Sequence, residues 1–154
     1  LQHGQTPSAM VLSRQNIPFL NGNSDAVAKG GYIISDAAEP QATISATGSE
    51  VEIAVQAQVE LQKLNIVVKV VSMPCLELFA AQDIEYQQQI LGNKNNLKIV
   101  VEAALAQGWE KYLGEQGIFV GMNSFGASAK AEDLYQYFGI TAQNIVEKIS
   151  AKLR

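Results

Sequence analysis

Hydrophobic runs of strand length alternate with longer amphipathic segments over most of the chain. The predicted strands are residues 43–47, 66–73, 97–102 and 118–121. The predicted helices are residues 49–64, 76–91 (with a break near Gln82-Asp83), 130–138 and a last one that begins at Thr141. This alternation predicts an α/β fold, a three-layer domain with a mostly parallel sheet and helices on both faces.

The segment 49–64 carries two competing patterns. Val51, Ile53 and Val55 alternate with polar residues, as in a strand. Strands average about 5–6 residues, however, and this segment continues without Gly or Pro well beyond that length. It is also rich in Ala, Glu and Gln, and Ala54, Ala57, Leu61 and Leu64 form a helical stripe. We therefore predict a helix.

The first forty residues follow a different pattern. Residues 8–13 predict a short buried strand that ends at Arg14, and turn-forming residues are frequent from Pro18 to Gly31. A single strand ahead of a linker has no partner within the chain. We therefore expect residues 1–20 to be the tail of a preceding domain, 21–40 a linker and 41–154 one complete domain, all parts of a longer protein.

Composition excludes several classes of function. The 154 residues carry a net charge of −4 with no basic stripe, which argues against binding to nucleic acid or to a membrane surface. No apolar run approaches the length of a membrane span. Cys75 and His3 are single residues of their types, so neither a disulfide framework nor a tetrahedral zinc site is expected. A single cysteine fits a cytoplasmic protein.

Candidate chemistry lies at the carboxyl ends of the predicted strands, where parallel sheets bind ligands. The turn Thr47-Gly48-Ser49 offers a hydroxyl and backbone N–H groups that could hold an anion. The simpler interpretation is that Thr47 or Ser49 caps the next helix. Glu102 could serve as an acid or base. The favoured interpretation is a structural carboxylate at the strand end whose hydrogen bonds are satisfied.

Three further residues have both a chemical and a structural interpretation. Cys75 precedes a helix, which could lower its thiol pKa, but no base accompanies it and packing is favoured. Trp109 is expected to anchor the core or an interface. Arg14 follows an apolar run, and its guanidinium suits a phosphate or carboxylate, although a solvated Arg is the alternative. The glycine-rich nucleotide motifs and the G-x-S-x-G motif are absent from the sequence.

A series of short motifs, in order along nearly the whole chain, resembles the transketolase family. Thr6-Pro7 and Leu12–Asn16 resemble the end of its middle, pyrimidine-binding domain. The motifs that resemble its C-terminal domain are Lys29–Tyr32, Ala46–Val51, Val70–Pro74, Phe79 with Gln82-Asp83, Val101–Ala103, Gly108-Trp109, Phe125–Ser128 and Tyr137–Thr141. Each motif is weak alone, and their common order makes the resemblance specific.

The resemblance implies an activity for the complete enzyme. Transketolases use thiamine diphosphate and a divalent cation (Mg²⁺ or Ca²⁺) to transfer a two-carbon ketol unit between sugar phosphates, as cytoplasmic homodimers of the pentose phosphate pathway. The Arg of the family's Ser-Arg-Gln motif contacts the substrate phosphate and matches Arg14. The family's catalytic histidines and its cofactor- and metal-binding residues lie in earlier domains. We therefore expect no catalytic, cofactor-binding or metal-binding residue here, and an isolated chain without activity.

Two alternatives remain open. The equivalent domain of a 2-oxo-acid dehydrogenase component is one, although the Ser-Arg-Gln and Phe-Gly-Ala-Ser stretches favour a transketolase. A free-standing regulatory or anion-binding α/β module is the other, and it predicts a ligand at the Thr47–Ser49 turn.

Overall fold

The computed structural model describes residues 7–20 and 24–153. The strands in this part of the chain are β1 (Tyr32–Ser35), β2 (Ala42–Ala46), β3 (Val68–Ser72), β4 (Leu97–Glu102) and β5 (Ile118–Gly121). The helices are α1 (Ser24–Val27), α2 (Glu50–Lys63), α3 (Leu76–Ala80), α4 (Ile84–Leu91), α5 (Glu110–Leu113), α6 (Ala131–Phe138) and α7 (Ala142–Leu153). His3, Thr6 and the turn formers of residues 21–23 lie outside the described residues.

The five strands form one sheet in the order β1-β3-β2-β4-β5. β3, β2, β4 and β5 run parallel, and β1 pairs antiparallel with β3. In the centre of the sheet, Ile44 of β2 is in register with Val70 of β3 and Ile99 of β4. Every residue of β2 and β3 is buried, as expected for strands covered on both faces.

Helices cover both faces of the sheet, because successive side chains of a strand point to opposite sides. On one face, Ile44 and Ile99 pack with Leu61 of α2 and with Ile145 and Ile149 of α7. On the other face, Val71 and Val100 pack with Phe79 of α3, Ile90 of α4 and Trp109. This arrangement confirms the predicted three-layer α/β fold.

Local signals placed several helix ends correctly. α2 is a helix, and the stripe residues Ala54, Ala57 and Leu61 are fully buried. The fourth stripe residue, Leu64, follows the end of the helix and is exposed. The predicted break within 76–91 separates α3 from α4, where the Asp83 side chain accepts a hydrogen bond from the Tyr86 amide at 2.7 Å. The Thr141 hydroxyl caps α7 by accepting from the Asn144 amide at 3.2 Å.

The first forty residues differ in two respects from the pattern predicted for them. Residues 8–13 form no strand, and their side chains are exposed, Val11 by 95%, because none of the described strands pairs with them. The segment predicted as a linker contains α1 and β1, so the sheet begins before residue 41. β1 is a short edge strand after two glycines, and only its ladder with β3 distinguishes it from a loop.

A short helix, α5, lies between β4 and β5. α5 was missed from the sequence, since four residues carry too little periodicity to predict a helix. Among the described residues, no helix is both long enough and apolar enough to cross a membrane.

Candidate functional site at the carboxyl edge of the sheet

The crevice for a ligand in this topology lies between β2 and β4. Successive strands β3 and β4 lie on opposite sides of β2, so the carboxyl ends of β2 and β4 form the topological switch point where α/β sheets bind ligands. Thr47 follows β2 and Glu102 ends β4. The Thr47 hydroxyl donates a hydrogen bond to Glu102 Oε2 at 2.6 Å. The chain's own side chains therefore bridge the crevice.

A second carboxylate is buried beside this bridge. Glu50 is the first residue of α2, and only 5% of it is exposed. The Tyr135 hydroxyl of α6 donates to Glu50 Oε1 at 2.5 Å. Ser49 Oγ lies 2.9 Å from the Tyr135 oxygen and 3.3 Å from the same carboxylate oxygen. The buried carboxylate is thus satisfied by hydroxyl groups rather than by a cation.

Burial raises the pKa values of two side chains at the carboxyl edge of the sheet, Glu102 and Tyr135. The pKa of Glu102 is raised by burial, is lowered to a smaller extent by the hydrogen bond from Thr47, and is raised again by the charge of Glu50. The pKa of Tyr135 is raised by burial first and then by its hydrogen bond to Glu50. A raised tyrosine pKa keeps the hydroxyl protonated near neutral pH, as its role as donor to Glu50 requires.

The geometry does not support an anion site at the Thr47–Ser49 turn. The backbone N–H groups of Glu50 and Val51 are already donated to the carbonyls of Thr47 and Gly48, at 3.1 and 3.4 Å. The buried carboxylate of Glu50 lies beside the turn and opposes a negative ligand. The expected cap is also wrong, because Ser49 makes no capping hydrogen bond and the Thr47 hydroxyl bonds to Glu102 instead.

The described residues also do not fit thiamine diphosphate. Glu50 and Glu102 stand at the switch point, where a diphosphate would need donors or cations. Within residues 7–20 and 24–153, no three His, Cys, Asp or Glu side chains come close enough to hold a metal ion. No catalytic step of the cofactor is therefore assigned to these residues.

Arg14 lies on the irregular segment 7–20, one residue from a contact with the domain. Its side chain is exposed. The neighbouring Gln15 donates from Nε2 to the Tyr135 hydroxyl oxygen at 3.3 Å. The structure therefore leaves the guanidinium exposed while its neighbour is attached to the Glu50–Tyr135 pair.

An open, largely apolar cavity of about 190 Å³ adjoins this contact. Gln15 and Tyr135 line it together with Met122, Leu134 and Phe138. The polar groups at its wall are already paired with one another, and the rest of the lining gives a hydrophobic surface.

The remaining candidates take the structural roles that were favoured. Trp109 is buried at 3% exposure and packs edge-on against Tyr112, with ring centroids 6.2 Å apart. Cys75 is half-buried ahead of the short α3, with its Sγ 3.5 Å from a Glu77 carboxylate oxygen and no basic partner. Glu102 is the satisfied strand-end carboxylate that the sequence favoured.

Sequence reasoning missed the roles of Gln15, Glu50 and Tyr135. A Glu in the first turn of a helix ordinarily stays in solvent near the helix dipole, so nothing in the sequence marks Glu50 as buried. Tyr135 is 85 residues away from Glu50, and only the tertiary fold brings its hydroxyl to the first turn of α2.

Residues 30–141 match the family model described as the transketolase-like C-terminal domain. The chain belongs to the transketolase family. The transketolase of Rhodobacter capsulatus is 48% identical over an alignment 163 positions long, which covers 99% of this chain but 24% of that protein. The chain therefore spans about a quarter of the length of this curated transketolase.

Solved transketolases share the fold. The transketolase of Leishmania mexicana is 44% identical, with a TM-score of 0.80 over 87% of this chain and 19% of its own. The transketolase of Pichia stipitis, in a structure described as a complex with sedoheptulose-7-phosphate, is 35% identical, with a TM-score of 0.82 over 90% of this chain and 20% of its own.

Proposed function

We propose that this chain is the carboxyl-terminal part of a transketolase that transfers a two-carbon ketol unit between sugar phosphates. Three findings support this: the match to the C-terminal domain model, the alignment of almost the whole chain, and the small share of each relative that it covers. The similarity to a Pichia stipitis transketolase solved with a sugar phosphate supports the substrate class.

The family to which the chain belongs suggests a division of labour in the complete enzyme. Thiamine diphosphate and its divalent cation would be held by the preceding domains, and the cofactor would supply the carbanion chemistry. This domain would support the fold and the homodimer of a cytoplasmic enzyme in the pentose phosphate pathway. The carboxylates Glu50 and Glu102 at the switch point agree with that role, because they suit neither a diphosphate nor a sugar phosphate.

The exposed segment 7–20 supports a preceding domain. Met10, Val11 and Leu12 are exposed by 74%, 95% and 75%. Consecutive apolar side chains in solvent are typical of a surface that other protein covers. Residues 1–20 would therefore be the tail of the pyrimidine-binding domain, and the strand predicted at 8–13 would form on pairing with that domain's sheet.

Arg14 would recognise the substrate phosphate. The observation that carries this proposal is its position in the Ser-Arg-Gln motif, exposed and next to a residue bound to the C-terminal domain. A guanidinium is permanently charged and matches a phosphate in bidentate geometry.

The test is Arg14→Ala in the complete enzyme. Losing one charged contact of about 1.5–3 kcal/mol should raise KM for phosphorylated substrates about 10–200-fold. Steady-state kinetics with phosphorylated and unphosphorylated acceptors would measure it, since only the former use the phosphate contact. Lys94→Ala is the control, because it removes an exposed cation at the turn before β4, at the opposite edge of the sheet. An unchanged KM in Arg14→Ala would remove Arg14 from the phosphate site.

A further inference from the structure

We propose that Tyr135 is a positioning residue for phosphate recognition, because it holds Gln15 and thereby places the adjacent Arg14. This inference rests on the proposed function of Arg14. It assigns a substrate-binding task to a residue of α6 that touches no reacting group.

The hydrogen-bond geometry gives Tyr135 this capacity. The hydroxyl has one proton, and donating it to Glu50 at 2.5 Å leaves the oxygen free to accept. Gln15 Nε2 donates to that oxygen at 3.3 Å. Glu50 is buried in the first turn of α2, so the hydroxyl is fixed to the rigid part of the domain.

The segment that carries Arg14 has few other attachments. In the described part of the chain, residues 7–20 form no helix or strand, and none of the backbone–backbone hydrogen bonds found there involves them. Leu20 packs against the core on the side of α2 and α7, five residues beyond Gln15. Gln15 is therefore the polar attachment nearest to Arg14.

Because Gln15 and Arg14 are adjacent, holding Gln15 also restricts the position of Arg14. Consecutive Cα atoms are about 3.8 Å apart, so fixing the side chain of Gln15 narrows the positions open to the backbone of Arg14. Gln15 is half-buried while Arg14 is exposed, so the domain holds one residue and presents the other. A guanidinium delivered in this way loses less conformational freedom when it binds a phosphate.

The experiment compares single and double variants of the complete enzyme. Tyr135→Phe keeps the ring and removes the hydroxyl, and Gln15→Ala removes the donor while leaving the Tyr135–Glu50 bond in place. Each should raise KM for a phosphorylated acceptor about 2–12-fold, the range for one neutral hydrogen bond, with kcat and the KM of an unphosphorylated acceptor unchanged. In an Arg14→Ala background, Tyr135→Phe should have no further effect on KM.

Two controls separate positioning from a general loss of structure. Tyr137→Phe alters an exposed hydroxyl two residues away on α6, and it should behave as the unaltered enzyme. The melting temperature of Gln15→Ala should stay close to that of the unaltered enzyme, because Gln15 belongs to neither hydrophobic core cluster.

The outcomes distinguish the two proposals. If Arg14→Ala raises KM while Tyr135→Phe and Gln15→Ala do not, the positioning role is refuted and the role of Arg14 stands. An equal rise in KM for phosphorylated and unphosphorylated acceptors would refute positioning in favour of a structural defect. An unchanged KM in Arg14→Ala would overturn both.

Discussion

The contact between Gly30 and the start of α3 gives a sharp stability prediction for Gly30→Ala. Gly30 has φ +82°, a conformation in which an L side chain is strained. A Cβ at this position would overlap the Cys75 carbonyl oxygen and the Phe79 amide nitrogen, and it would lie 2.7 Å from Leu78 Cβ. The first two atoms belong to the 3.1 Å hydrogen bond that opens α3, so they cannot move without breaking it.

Gly108 provides a matched control for the backbone strain. Its φ is +87°, and a Cβ built on it meets nothing within 4 Å. Gly108→Ala should therefore cost only the left-handed strain, about 1–2 kcal/mol. Gly30→Ala adds overpacking of about 1–3 kcal/mol, for a total of about 2–5 kcal/mol. Both substitutions restrict the unfolded chain equally, so that contribution cancels in the comparison.

Urea denaturation of the 154-residue chain, followed by circular dichroism, measures both free energies of unfolding. The fitted slope against urea should stay the same, so that a shift of the midpoint reports stability alone. We expect Gly30→Ala to be the less stable variant by about 1–3 kcal/mol. Equal destabilisation of the two variants would refute this prediction, because it would show that the close approach of Gly30 to α3 adds nothing to the loss of stability.

Two further predictions concern activity and pH. Purified alone, the chain should neither bind thiamine diphosphate in calorimetry nor transfer a ketol unit in a coupled assay, because the carboxylates Glu50 and Glu102 at the switch point do not suit a diphosphate. Measurable turnover would contradict the proposed division of labour. The pKa of Glu102 is raised above its ordinary value of 4.5 mainly by burial, so the stability linked to its protonation is present below that value and is lost as the pH rises through the folded-state pKa. Glu102→Gln can still accept a hydrogen bond from Thr47 but carries no charge. Its melting temperature should therefore fall less than that of the unaltered chain as the pH is raised from 4 to 7. If the plots of melting temperature against pH are parallel for the two proteins, the effect assigned to Glu102 is disproved.

Patterns of short range fixed the elements that need no distant partner. The stripe Ala54, Ala57 and Leu61 predicted α2 despite a competing alternation, because burial on one face of a helix repeats every three to four residues. Thr141 marked a helix start and Gln82-Asp83 a helix break, since the capping side chains there bond to amides only three residues away. β4 and β5 have the predicted bounds, because each is a short run dominated by Leu, Ile, Val or Phe, the residues that favour strands.

Contacts between distant residues decided the rest. β1 is a strand only through its ladder with β3, and residues 8–13 are irregular because none of the described strands pairs with them. The Thr47–Glu102 bond and the Gln15–Tyr135–Glu50 chain join residues 55, 120 and 85 positions apart. Hydrophobic periodicity indicates which side of an element is buried, but not which polar groups meet there. The sequence by itself therefore determined the layers of this protein. Only the tertiary structure decided the chemistry at the carboxyl edge of its sheet.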